Sequence, residues 1–373
     1  KYDYEIETKE RLAFLNEHFE IVAVSGQDKH LDNVKVREKV RTISVKMNRN
    51  ISPIKDLKSL ISLYFLFKNE KPDLVHSITP KAGLLSMIAS YLARVPVRIH
   101  TFTGLMFPYK KGLLQVILIT MDKLLCRCAT HIYPEGNGVK QDLLKFNITK
   151  KPLKILANGN VNGIDVEYFN PDLYLENKKK DLRKKLNIPE ENFIFIFVGR
   201  LVRDKGINEL IEAFTELLKE NKNISLLLVG PFEDELDPLQ KETKAEIETN
   251  KNIVSVGYQN DVRPFFAISN ALVFPSYREG FPNVVMQAGS MGLPSIVTNI
   301  SGCNEIIIQN KNGLIIPKQN VKVLKEEMYQ IINDLEMYNK LKNNSRLLIE
   351  NRYKQEIVHK AILNAYNLNL KKK

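Results

Sequence analysis

Cysteine is scarce in this chain. Cys126, Cys128 and Cys303 are an odd number without metal-ligand spacing, which excludes a disulfide framework and argues for a reducing, cytoplasmic compartment. No stretch reaches the roughly 18 apolar residues of a membrane span. No signal peptide is visible, and no tandem repeat at solenoid periods can be read. No Asp-x-Asp pair stands near a strand end. The acidic Glu233-Asp234-Glu235-Leu236-Asp237 lies in an irregular segment and reads as a solvated loop. Neither a Gly-x-Ser-x-Gly elbow nor a Walker A loop is present. Acidic residues are in deficit, 43 Asp and Glu against 55 Lys and Arg, for a formal net charge of +12. Such a surface suits phosphate-bearing partners, whether nucleotides, nucleic acid or anionic lipid, or is simply a solvated Lys-rich exterior. Surface aromatics do not interleave along a basic stripe, which counts against nucleic acid.

What is present is an alternation of strand and helix patterns. A chain of 373 residues is long for one core, so two domains are expected. In the first half, 19–25, 73–77, 95–101 and 129–133 read as strands. Residues 53–69 and 81–93 read as helices, the former opening on Pro53. Asn158 to Asp165 is rich in Asn and Gly, breaks the periodicity and reads as a hinge. The alternation then restarts. Phe193–Val198 is continuously apolar, as a strand buried on both faces should be, and 224–229, 271–274, 294–298 and 313–317 follow as strands. Helices are expected at 207–219, at 282–291 and through the tail from 321 to 370. This predicts an α/β protein of two doubly wound Rossmann-like domains facing each other across a cleft. The domains are 1–165 and 166–350, with 351–373 a terminal helix crossing back to the first. The chain does not begin with Met, and Lys1-Tyr2-Asp3-Tyr4-Glu5-Ile6 is a poor first strand, so a natural first strand is expected to be missing or altered.

Three stretches follow apolar runs and so fall at strand carboxyl ends, where open α/β sheets bind ligands. They are Gly199-Arg200-Leu201-Val202-Arg203-Asp204-Lys205-Gly206, the segment from Phe274 to Gly289, and Ser301-Gly302-Cys303-Asn304-Glu305. Arg200 and Lys205 lie at opposite ends of a strand-to-helix turn. A guanidinium fork and an ammonium both suit phosphate oxygens. The helix after Phe281, expected to begin at Pro282, offers its N–H groups and positive dipole end to an anion. Gly280 permits close approach, and the Glu279 carboxylate suits paired hydroxyl donors. Together they read as a site for a sugar nucleotide.

The pieces Val198-Gly199-Arg200-Leu201, Lys205-Gly206, Leu228-Val229-Gly230, Val273-Phe274-Pro275-Ser276, Glu279-Gly280-Phe281-Pro282 and Asn162-Gly163-Ile164-Asp165 resemble the family-4 retaining glycosyltransferases with the GT-B fold. The C-terminal half resembles them closely, the N-terminal half loosely. Within the family, 275–285 looks most like enzymes that extend lipid-linked bacterial surface polysaccharides. The resemblance implies that Arg200 and Lys205 hold the donor diphosphate and that Glu279 contacts the donor sugar. A second family Glu, eight positions on and usually at the nucleotide ribose, is replaced here by Gln287. Gly199 and Gly280 to Asn283 would line the nucleotide, and Tyr258 would stack on or flank the base, unless it is a core or surface tyrosine. His100 would stand near the sugar, although the family histidine is usually two positions further on; a backbone-satisfied structural histidine is the other reading. Gly302 and Glu305 would lie near the donor or form a plain turn. His76 and Lys81 are candidates to face an acceptor phosphate. Met106 to Leu114 joins apolar and basic residues, and either rests on an anionic membrane or is a buried helix with a Lys cap.

The expected activity is retaining, metal-independent transfer of a sugar, an N-acetylhexosamine, from a UDP-sugar. The acceptor is expected to be a sugar on a polyprenyl diphosphate in capsule, O-antigen or exopolysaccharide synthesis, at the inner face of the cytoplasmic membrane. No cofactor beyond the donor is expected. The rivals are a sugar-nucleotide epimerase of the same fold and a non-catalytic basic protein binding phosphate or membrane.

Overall fold

A computed structural model describes residues 10–26, 29–47, 52–233, 235 and 237–371. The opening Lys1–Ile6 segment, read above as a poor strand, lies outside them. The chain divides into two compact units, residues 1–163 with 355–373, and residues 164–354.

The first unit runs α1 (Arg11–Asn16), β1 (Val22–Ser25), α2 (Lys29–Glu38), β2 (Arg41–Ser44), α3 (Pro53–Glu70), β3 (Leu74–Ser77), α4 (Pro80–Leu92) and β4 (Val97–Phe102). A 3₁₀ turn (Phe107–Tyr109), α5 (Gly112–Cys128), β5 (His131–Pro134) and α6 (Asn137–Lys145) follow. β1 and β2 pair in parallel, and β4 runs parallel between β3 and β5. Pro53 and Pro80 open α3 and α4, where a missing N–H costs nothing. α4 packs against both α3 and α5. Its Gly83 lies directly on the His100 ring, with no room for a Cβ between them. β2, whose Arg-Thr-Ile-Ser sequence carries one apolar residue, is a strand that periodicity does not reveal.

In the second unit come α7 (Glu176–Lys185), β6 (Phe193–Val198), a 3₁₀ turn (Arg203–Lys205), α8 (Ile207–Glu220), β7 (Ile224–Val229), α9 (Lys241–Thr249), β8 (Ile253–Ser255) and α10 (Arg263–Ala267). They are followed by β9 (Ala271–Phe274), α11 (Asn283–Ser290), β10 (Ser295–Thr298), α12 (Cys303–Ile306), β11 (Gly313–Ile316), α13 (Val321–Asn333) and α14 (Leu335–Tyr353). The last helix, α15 (Gln355–Leu370), belongs to the first unit.

The six parallel strands of the second unit lie in the order β11-β10-β9-β6-β7-β8. The chain starts in the middle at β6, builds outward to β8, then returns to β9 on the other side of β6. The strand order therefore reverses between β6 and β9, and ligands of doubly wound sheets bind in the crevice at such a switch point. The sheet sits in one continuous core that includes Phe195, Phe197, Leu226, Leu228 and Val273, all without exposed surface. Each such side chain contributes roughly 1.5–3 kcal/mol by leaving water, which fixes the strand ends from which the loops depart.

Candidate functional site

Two glycines fasten the loops at the switch point. Gly206, at the end of the β6 loop, has φ 72°, and a Cβ there would stand 2.2 Å from the carbonyl oxygen of Pro275 in the β9 loop. Gly302, in the β10 loop, has φ 76°, and its Cβ would stand 2.2 Å from the carbonyl oxygen of Gly280. Side chains are excluded at both places by conformation and by space. The close approach at Gly280 is thus made by Gly302; Gly280 supplies the carbonyl. The Tyr277 N–H donates to Asp204 O at 2.9 Å, a further tie between the β6 and β9 loops.

These ties bring charged groups together. Lys205 Nζ forms an ion pair with Glu279 Oε1, and the two side chains are only 16% and 15% exposed. Ser276 Oγ donates to the same carboxylate oxygen at 2.7 Å. The Lys205 ammonium lies 5.6 Å from the centre of the Phe274 ring. Cys303, at the start of α12, is fully buried beside this pair; burial, aided by the Glu279 charge, pushes its thiol well above the usual range. Arg200 pairs with Glu233 at 2.6 Å and Arg278 with Asp204 at 2.8 Å. Arg203 lies 3.6 Å from Asp237, whose carboxylate also accepts the Asp204 N–H at 2.7 Å.

Sequence reasoning singles out Arg200, Lys205 and Glu279, but not that Lys205 and Glu279 pair with each other, nor that Arg200 pairs with Glu233. Glu233 and Asp237, read from sequence as parts of a solvated loop, reach the β6 loop and tie its cations; Asp234 and Leu236 lie outside the described residues. Ser276 and Arg278 were also missed, although both lie inside the motif-bearing segment. What could have pointed to them is their placement two and four residues past a buried strand.

The remaining candidates take several places. Gly199 continues β6 and donates its N–H to Val229 O at 2.9 Å. Phe281 is buried edge-on against Tyr353, ring centres 5.5 Å apart. Pro282 is the N-cap of α11, so that helix starts at Asn283, one residue later than its expected start. Gln287 is half-buried on the same helix, and Tyr258, just beyond β8, is half-exposed. Glu305 accepts the Gly302 N–H at 3.4 Å and its own carbonyl accepts the Tyr353 hydroxyl, so it serves as the first-turn cap of α12.

In the first unit the picture differs from the expectation of a rim. His100 has no exposed surface. It shares a 2.8 Å hydrogen bond with Ser77 Oγ and packs edge-on against Phe102 under Gly83. Burial pushes it down to about 3, so it is neutral. Strand β4 continues two residues past it, which puts His100 under α4 rather than at the strand's end. His76 is held between the Tyr366 hydroxyl at 2.6 Å and Thr101 Oγ1 at 2.8 Å, and burial takes it to about 3 as well. Lys81 pairs with Asp56 at 2.6 Å, joining α4 to α3. In this arrangement neither His76 nor Lys81 is set out for an anion.

Two cavities lie elsewhere. One in the first unit, about 10 Å³ and lined by Arg11, His76, Thr101 and Glu135 among others, has room for roughly one water. The other, about 400 Å³, lies between α7 and α10 and is lined by Tyr174, Leu182 and Ile268 among others. Among the described residues, no group of three or more His, Cys, Asp or Glu converges as a metal site.

Residues 178–348 match the family model described as glycosyl transferases group 1, and residues 4–135 match the one described as glycosyl transferase 4-like. A capsular polysaccharide biosynthesis glycosyltransferase, CapM, of Staphylococcus aureus is 34% identical over 88% of this chain and 85% of its own. The UDP-Gal:alpha-D-GlcNAc-diphosphoundecaprenol alpha-1,3-galactosyltransferase of Escherichia coli is 31% identical over 91% of this chain and 86% of its own. Among solved structures, a glycosyltransferase from Rickettsia africae ESF-5 superposes with a TM-score of 0.82 at 20% identity, over 100% of this chain and 96% of that one.

Proposed function

The chain belongs to the group 1, transferase 4-like family of GT-B glycosyltransferases, and we propose that it moves a sugar from a UDP-sugar to a lipid-linked sugar acceptor in the synthesis of a bacterial surface polysaccharide. The sugar proposed is an N-acetylhexosamine, the transfer retaining and metal-independent, and the place of action the inner face of the cytoplasmic membrane. The names of the two relatives support the polysaccharide and the diphosphate-linked acceptor, and the Escherichia coli relative's name supports UDP.

The observation that carries the donor site is the Lys205–Glu279 pair, bonded to Ser276 at the strand-order reversal. A diphosphate brings negative charge and a sugar brings hydroxyls. Lys205 can turn to phosphate while Glu279, kept in place by Ser276, accepts from hydroxyls, so neither charge is stranded. Arg200 is half-exposed in its pair with Glu233. Exposed ion pairs are worth about 0–1 kcal/mol, so exchanging that carboxylate for a phosphate costs little. Fixed cations aimed where charge develops on the departing diphosphate are the electrostatic part of the catalysis. The departing diphosphate oxygen takes the acceptor hydroxyl's proton on the same face of the sugar, and the new bond forms there with retention.

The test is calorimetry of UDP and UDP-N-acetylhexosamines in the presence of EDTA, followed by NMR of the product's anomeric configuration. Micromolar UDP binding under chelation and an α-linked product from an α-linked donor are expected. Binding that vanishes with EDTA overturns metal independence. An inverted product overturns retention, and turnover of the donor to an epimer without acceptor favours the epimerase.

A further inference from the structure

α3 is apolar on two opposite sides. Ser59, Leu63 and Phe67 face inward. On the other side Ile54 (74% exposed), Leu57 (56%), Ile61 (47%) and Phe65 (58%) form a stripe at helical spacing, open to solvent. α5 repeats the pattern with Leu113 (76%), Val116 (58%), Ile117 and Leu124, all exposed, while Leu125, Cys126 and Cys128 are buried. A helix on a water-facing surface ordinarily turns charged or polar residues outward; these two do the reverse, and both pack on α4. Met106 and Tyr109, in the turn before α5, are exposed as well. The 106–114 segment is therefore not the buried helix that was one of its two expected forms.

The charges beside the stripes have one sign. Exposed Lys58 and Lys68 stand along the α3 stripe, four residues beyond Ile54 and three beyond Phe65. Lys110, Lys111, Lys123 and Arg127 accompany α5. The acidic residues of α3 are engaged away from the stripe, Asp56 with Lys81 and Glu70 with Arg41. Asp122, the acidic residue of α5, is pushed up to about 7 by burial, so it opposes the cations weakly.

We propose that the outer faces of α3 and α5 form the surface by which this protein rests on an anionic lipid bilayer. Apolar side chains enter the acyl boundary while the lysines meet lipid phosphates, as amphipathic helices lying in an interface do. A second copy of the chain is the less suitable occupant, since self-association through this face would bring two sets of cations together. Among the described residues no helix is long and apolar enough to cross a membrane, so this face acts by lying on the surface. The inference stands on exposure and charge and does not need the transferase activity, although an acceptor anchored in a bilayer gives it a use.

The test is sedimentation of the full chain with phosphatidylcholine vesicles, with and without phosphatidylglycerol. The wild type is compared with the triple variant Leu57→Ser/Ile61→Ser/Phe65→Ser and the double variant Lys58→Glu/Lys68→Glu. The wild type should pellet with the anionic vesicles in a salt-sensitive way. Each variant should partition at least about tenfold less, with melting temperature and UDP affinity unchanged, as expected when exposed side chains are lost. Equal partition by the triple variant overturns the proposal, as does equal binding to neutral vesicles. So does a wild-type dimer that the triple variant dissociates. Vesicle binding with no UDP binding would instead count against the transferase, leaving the docking face standing.

Discussion

The two units use the same alternation of parallel strand and helix but place their apolar residues differently. In residues 164–354 one continuous core spans all six strands, and the loops leaving it are tied by glycine contacts and carboxylate–cation pairs. In the first unit the buried residues fall into separate clusters, two helices keep apolar faces outside, and ionisable side chains such as Arg11, Glu38 and Glu135 are taken inside. All six histidines belong to this unit; His100 and His359 are buried and His76 is half-buried. A rigid sheet with charges at its rim suits precise placement of a charged donor. A unit with an apolar exterior suits contact with something large.

The sharpest way to break this division is to exchange one group on each side. Lys205→Ala is expected to lower kcat/KM for the UDP-sugar about 10²–10³-fold, the cost of removing one electrostatic stabiliser, with a modest change in melting. His100→Ala should do the opposite. It leaves a cavity under Gly83 and an orphaned Ser77 hydroxyl, for about 2–4 kcal/mol of stability, with KM for the donor unchanged. Steady-state kinetics and calorimetric melting of both variants decide. Loss of transfer in a well-folded His100→Ala would put the first unit back into the donor chemistry.

Mild acid should separate the units next. His76 and His100 are held down to about 3 and His359 to about 4, all chiefly by burial. Unfolding lets each take a proton below about 6.5. The unfolded state then binds more protons than the folded one, and stability falls as pH drops from 6.5 toward 4. At pH 5 each histidine costs about 2 kcal/mol relative to neutral pH. Asp122, raised to about 7, and Asp142, also raised by burial, work the other way in the same unit, leaving roughly a few kcal/mol of net loss. The second unit has no histidine, and its Asp261 is lowered, by bonds to Arg263 that outweigh burial, so that group's contribution is lost only as pH falls through the ordinary carboxylate range, at about pH 4, and below. Scanning calorimetry at pH 7 and pH 5 should show a single transition splitting into two, with amide exchange assigning the earlier one to residues 10–163 and 355–371. A parallel downward shift of both units would refute this.

The second unit was the more legible in sequence because its strands Phe193–Val198, Ile224–Val229 and Ala271–Phe274 are apolar at every position but Ser225 and are buried on both faces. The cations and the carboxylate of the rim could be read from their position just past those runs. Their pairing could not, since Arg200 and Glu233 are distant in sequence and meet only because β6 and β7 are neighbours. His100 misled for a related reason: alternation along a strand shows that two positions share a face but not that α4 covers that face. On α3 helical spacing was plain, but with apolar residues on both sides it could not say which side was buried.

The smallest expected effect concerns Gln287, which the closely matching C-terminal half carries where the resembled enzymes have a carboxylate. Gln287→Glu replaces a neutral acceptor with a charged one, and a charged acceptor gains about 1 kcal/mol over a neutral one. The new charge also enters a site that already holds Glu279 and must admit a diphosphate, which offsets part of the gain. The net change in UDP affinity should therefore stay within about tenfold. Its origin can be isolated with 2′,3′-dideoxy-UDP, which keeps the diphosphate and base but lacks the ribose hydroxyls. If Gln287 holds the ribose, calorimetry should show the variant's change with UDP shrinking or reversing sign with the dideoxy compound, where only repulsion is left. An identical change with both ligands would mean that position 287 acts on the diphosphate through its charge, and the ribose would have to be held by another part of this unit.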